Sequence, residues 1–203
     1  MKPLIGNIQQ EKIGQLLSQW GDTLTYRYGD NQVIKFSKWN DRFPDKAFQK
    51  RFERDYEIAQ RYLGHFVIPT QFIPRLNKNG RHSFARIQEY VSGEPLTYED
   101  LSNPITRKKF EEFSKKYREL IDATGYEMDL IGHEGIFKGA LGNIFVTEEN
   151  TLRIFDTMLF YSSGFGKWAW LWAWSMDIMI FFAKHRQHRV IEKFTKCISE
   201  KDL

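Results

Sequence analysis

The sequence predicts an α+β chain: an N-terminal antiparallel sheet with one helix, then a mainly helical region carrying a separate hairpin. Three observations predict it. Thr25-Tyr26-Arg27-Tyr28 and Gln32-Val33-Ile34-Lys35-Phe36 flank the turn-forming Gly29-Asp30-Asn31 and read as a hairpin. The stretch from Pro44 to Leu63 has helical periodicity, with Phe52, Tyr56, Ala59 and Leu63 on one face. Further on, Gly142-Asn143-Ile144-Phe145-Val146 and Ile154-Phe155-Asp156 are two short apolar runs joined by a polar turn, Thr147 to Thr151.

Each element carries a residue that calls for chemistry. Lys35 lies inside its strand, where a lysine is usually a solvated face residue. Asp55 projects onto the apolar helix face, whereas Glu57 points well away and Glu53 lies to the flank. A carboxylate on an apolar face wants a cation, because burying it unpaired is costly, and Lys35 is the nearest candidate in sequence. Ile68-Pro69 ends the helical region, and Gln71 to Pro74 begins another strand. The apolar strand Phe84 to Val91 then runs into Ser92-Gly93-Glu94-Pro95-Leu96 and a polar helical region, a pattern that reads as a hinge.

The second hairpin is the most informative segment. By returning on itself the chain can set Asn143 beside Asp156. An amide oxygen and a carboxylate are hard ligands of the kind Mg²⁺ takes when phosphate oxygens fill the rest of its shell. The plainer reading is an ordinary hairpin with an Asn turn and a capping Asp.

The order of these features resembles the protein-kinase-like superfamily: a strand-borne Lys35, a helix-borne acid, a strand into Glu89-Tyr90-Val91-Ser92-Gly93, a helix, Gly142-Asn143-Ile144-Phe145-Val146, then Ile154-Phe155-Asp156. The match is best with the bacterial small-molecule branch, the aminoglycoside phosphotransferase-like and lipopolysaccharide-kinase-like proteins. Short kinase-like proteins of the PhoP-regulatory-network type are a second match. The resemblance covers roughly Gly21 to Phe160, and the 13-position spacing of Asn143 and Asp156 is similar to the family's. It implies a two-lobed α+β fold in a single domain, 1–203, with an N-lobe to about 91, a hinge at about 88–96 and a shortened helical C-lobe beyond it. It implies ATP and Mg²⁺ as cofactors and phosphoryl transfer to a non-protein hydroxyl, on a saccharide, a glycolipid or a small metabolite. By the same resemblance Lys35 binds the α/β-phosphates and pairs with Asp55. Gln88, Glu89, Tyr90 and Val91 line the adenine, and Asn143 and Asp156 hold the metal.

The catalytic loop departs from the family. The family's base is an Asp five residues before the metal-binding Asn, and Lys138 stands there. A lysine is a poor base for a hydroxyl but could steady a phosphoryl group. The nearest upstream acids, Glu134 and Asp129, could serve only if the loop bends unusually. The turn after Asp156 is Thr157-Met158, and Gly21 and Gly29 do not form a phosphate-covering glycine loop. A catalytically impaired pseudokinase that acts as a regulatory binding module is therefore the second expectation.

Composition bounds the rest. The 203 residues, 41% apolar and 16% aromatic, suffice for a core of one domain or two small lobes. The single Cys197 permits no internal disulfide, and the N-terminus lacks a signal-peptide pattern, so a cytoplasmic setting is expected. The net charge of +4 is mild. The basic blocks near Arg107 and from Lys184 to Arg189 come without a recognition motif, so nucleic acid is not expected as a partner. The segment from Trp168 to Ala183 is rich in Trp, Met, Ile and Phe; as a helix of 16 residues it would run about 24 Å, short of the roughly 30 Å hydrocarbon core. It reads either as a helix buried on most faces, in which Asp177 needs a buried partner, or as a contact with the inner membrane surface through Trp168 to Arg189. His133 reads as a structural histidine.

Overall fold

The computed structural model describes residues 8–20, 23–42, 45–132, 139–161 and 169–199; for 20, 169–176, 197 and 199 it describes the backbone alone. The chain divides into two compact units, one of residues 1–54, 69–90 and 163–173, the other of 55–68, 91–162 and 174–203. The α+β class with an antiparallel N-terminal sheet and a mainly helical remainder is as the sequence predicts.

The first unit is built on five antiparallel strands: β1 (Ile13–Trp20), β2 (Thr23–Tyr28), β3 (Gln32–Ser37), β4 (Thr70–Leu76) and β5 (His82–Glu89), in the order β1-β2-β3-β5-β4. Gly29 closes the β2–β3 turn at φ +59°, a conformation that glycine adopts without a side-chain clash. Strand alternation then sorts the side chains. Tyr26, Tyr28, Ile34, Ile73, Ala85 and Ile87 gather on one face. Lys35 and Arg86, directly opposite each other in the β3–β5 register, take the other. On that second face Phe84 meets Phe48 and Phe52, with ring centroids 6.3 and 5.5 Å apart.

The helix expected over 44–63 is α2 (Lys46–Leu63), and a short helix that the sequence reading passed over, α1 (Lys38–Arg42), precedes it. The sheet captures α1: Arg75 donates to Asp41 at 2.5 Å, Ser83 donates to the same carboxylate, and Asn40 donates to Ser83. The division between units passes through α2, between Arg54 and Asp55.

The second unit holds the C-terminal part of α2, a three-stranded sheet β6 (Glu94–Leu96), β7 (Leu141–Val146) and β8 (Leu152–Ile154), helix α3 (Pro104–Thr124), and α4 (Ala169–Ser199) from Trp174 onward. Asn103 caps α3 by accepting from the Ile105 N–H at 2.9 Å, and Gly125 ends it at φ +71°. Buried Leu63, Phe66, Phe113, Leu120, Leu141, Ile144, Ile154 and Phe194 form its core. Asn143 was expected just before its strand and is instead the third residue of β7. Leu96 pairs with Leu141 and draws the preceding residues into the ladder.

For the described side chains, 177–183, the expectation of a helix buried on most faces is corrected. Trp168 lies outside the described residues. The helix runs on to Ser199, and its buried positions, Gln187, Val190 and Phe194, come later at i, i+3, i+7. Ile178, Met179, Phe181 and Phe182 are exposed, and Asp177 is exposed too, so it needs no buried partner.

Gln187 is the polar member of that buried face. Its Oε1 accepts from the Leu130 N–H at 2.8 Å, and its Nε2 donates to the Met128 carbonyl at 2.9 Å and to the Tyr117 hydroxyl at 3.2 Å. Replacing it with leucine keeps the bulk and leaves buried polar groups without partners. We expect Gln187→Leu to cost roughly 2–4 kcal/mol in urea denaturation; a loss below about 1 kcal/mol would show that water or backbone movement satisfies those groups instead.

Candidate functional site

In the second unit the segment Glu127–Gly132 is bonded along both edges. On one side Asp129 N–H donates to the Met158 carbonyl and Phe160 N–H to the Glu127 carbonyl, at 2.9 and 2.7 Å. On the other, Gly142 N–H donates to Ile131 and Asn143 N–H to Leu130, at 2.9 and 3.1 Å. This segment therefore lies between the start of β7 and the residues that follow Asp156.

Asn143 is buried, and its Nδ2 donates to the Asp129 carbonyl at 2.8 Å. With the amide nitrogen so fixed, Oδ1 is the atom left for a ligand. It faces Gly132, where a Cβ would lie 2.5 Å away. Gly132 has φ +56°, and the Asp129 carboxylate accepts its N–H at 3.0 Å. The bond from the Asn143 amide to its carbonyl holds Asp129 beside Asn143, and Gly132 turns at positive φ next to both.

Asp129 titrates abnormally. Burial pushes its carboxyl up to about 6; the Asp156 carboxylate adds to the rise, and the N–H groups of Gly132 and Ile131 oppose it. Two carboxylates that repel each other beside an amide oxygen are a donor set that a hard divalent cation would relieve. Among the described residues no group of three or more His, Cys, Asp and Glu is placed to hold a metal. Asn143 and Asp156 could supply part of a hard cation's shell, the remainder coming from ligand and water oxygens.

Asp55 is 1% exposed, and its carboxylate accepts from the Leu159 N–H at 3.1 Å and from the Tyr161 hydroxyl at 2.5 Å. Both of these donors come from the segment just after Asp156. Neither was legible, since each lies more than a hundred positions from Asp55. Glu57 is exposed, and Glu53 accepts from Gln49 at 2.6 Å.

In the first unit Lys35 is buried, and so is Arg86 across from it. Arg86 stacks over the Phe52 ring at 4.7 Å. Sequence reasoning passed over Arg86; its signal was its even spacing from Phe84 and Gln88 on an alternating strand. Gln88 is buried and donates to Thr70 at 2.8 Å, while Glu89 is exposed. Tyr90 donates its N–H to the Asn31 carbonyl at 2.8 Å and stacks under Arg27, so that N–H is already committed. Val91 is half-buried and belongs to the second unit. Lys138, Glu134 and His133 lie outside the described residues, as do Gly21 and Asp22.

No family model matches the chain, and no curated protein matches its sequence. Among solved structures it is similar to the Legionella pneumophila Lpg2603 kinase bound to IP6, with a TM-score of 0.44 and 14% identity over 83% of this chain. The chain spans 59% of the length of that one.

The raised carboxyl of Asp129 predicts a pH dependence. The folded chain holds this proton up to about pH 6, whereas an unfolded aspartate releases it near pH 4. The fold therefore loses stability from this group as pH rises through that window, and the loss is complete above it. Asp129→Asn removes the effect. The stability difference between variant and wild type should move in the variant's favour by roughly 2–3 kcal/mol between pH 4 and 7, read from denaturant midpoints; a difference flat with pH would place Asp129 in an ordinary solvated setting.

Proposed function

We propose that the chain binds ATP through a Mg²⁺ ion held by Asn143 and Asp156 and transfers the terminal phosphoryl group to a non-protein hydroxyl. One observation carries the reading: the Asp129 carbonyl fixes the Asn143 amide, leaving its oxygen for a cation beside two mutually repelling carboxylates. The metal would neutralise charge on the phosphates. Asp129 is assigned to accept the acceptor's hydroxyl proton as its oxygen bonds to phosphorus and ADP departs. Lys138 is assigned to the phosphoryl group, and Glu134 is the reserve base. Lys35, with Gln88, Glu89, Tyr90 and Val91, is assigned to the nucleotide on the strength of the resemblance. The acceptor class is a saccharide, a glycolipid or a small metabolite, and the setting is the cytoplasm, where ATP is available.

A regulatory module that binds nucleotide without turnover is the second reading. It is favoured by the lysine standing where the family keeps its catalytic aspartate.

Calorimetry with ATP, with and without Mg²⁺, tests the binding step. Binding should need the metal, Asp156→Ala should abolish the Mg²⁺-dependent part, and Lys35→Ala should weaken the rest. In single-turnover assays Asp129→Ala should slow transfer about 10²–10⁴-fold with ATP affinity nearly intact. Binding without any turnover selects the regulatory module. No binding at millimolar ATP rejects both readings.

A further inference from the structure

From Trp174 onward α4 presents two unlike faces. The inner one, with Gln187, Val190 and Phe194, is buried. The outer one begins apolar and ends basic. Met179, Phe181 and Phe182 are 62%, 66% and 64% exposed, and Ile178 is 38% exposed. Arg186 and Arg189, both exposed, follow within the next two turns. Exposed large aromatics in a contiguous group mark an interaction surface more often than chance. No helix among the described residues is long and apolar enough to cross a membrane.

We propose that this outer face of α4 lies on an anionic lipid surface, with Phe181 and Phe182 inserted among the headgroups and Arg186 and Arg189 paired with lipid phosphates and carboxylates. Charge selects this occupant. The apolar patch is short and passes directly into cations, so its complement must be apolar and anionic side by side, as a headgroup layer is. A second copy of the chain would bring the same cations to the contact. The acids on and beside this face are Asp177 at its apolar end, Glu192, which pairs with Lys196 at 2.8 Å, and Glu127, which pairs with Lys184 at 3.3 Å and His188 at 2.8 Å. The helix from Ile178 to Arg189 would lie along the surface for about 17 Å.

Co-sedimentation of the full chain with phosphatidylcholine vesicles, with and without phosphatidylserine, tests the proposal. Binding should require phosphatidylserine and weaken with salt. Phe181→Asp with Phe182→Asp should reduce it by roughly tenfold or more, as should Arg186→Gln with Arg189→Gln, without lowering the melting temperature, since all four side chains are exposed. Failure to sediment with phosphatidylserine vesicles overturns the proposal, as does undiminished binding of the double aspartate variant. A wild-type dimer that the double aspartate variant converts to monomer assigns the face to a second copy and overturns it as well. None of these readouts involves ATP, so the result stands apart from the nucleotide assignment.

Discussion

The second unit depends on how the short segment from Glu127 to Gly132 is held. Its backbone is hydrogen-bonded on one edge to Met158 and Phe160 and on the other to Gly142 and Asn143. From α3 and α4, Tyr117 and Gln187 grip the Met128 backbone and Leu130 N–H. Burial raises the Tyr117 phenol well above its usual range, so it stays neutral and can both donate and accept. A segment without regular secondary structure thus becomes the piece that two helices and two strand ends share. The meeting of Asp129, Asn143 and Asp156 follows from that bonding.

How far this was legible in the sequence differs residue by residue. The Asn143 and Asp156 hairpin could be read because both partners are local and the turn chemistry lies between them. The apolar face of α2 could be read because helical period is a local property, and buried Phe52, Asp55, Ala59 and Leu63 fall where it put them. What the carboxylate of Asp55 meets could not be read, because Leu159 and Tyr161 reach it only through the tertiary fold. The same holds for Asp129. It carries no motif, and its place beside Asn143 comes from the bond between its carbonyl and the Asn143 amide. Strand β1 went unrecognised because Gly14, Gln15, Ser18 and Gln19 break its apolar alternation, and pairing with β2, bulges included, holds it in the sheet.

The two charged clusters follow opposite logics. In the first unit Lys35 and Arg86 are neighbours of like sign, both buried on the face where Phe84 meets α2. In the second, Asp129 and Asp156 are neighbours of opposite sign to that pair. Between Asp129 and Asp156 the repulsion adds to the rise that burial imposes on the Asp129 carboxyl.

Gly132 concentrates this chemistry in a position with no side chain. Its backbone dihedral disfavours any L-residue with a Cβ, and the volume a Cβ would occupy overlaps the Asn143 oxygen. Even alanine would add strain to the turn and press against the Asn143 side-chain oxygen. In terms of mutational tolerance, an exposed arginine or phenylalanine of α4 can drift to many residues while the chain still folds, whereas Gly132 has no neutral neighbour in sequence space. A residue with no side chain is thus among the least replaceable of the second unit.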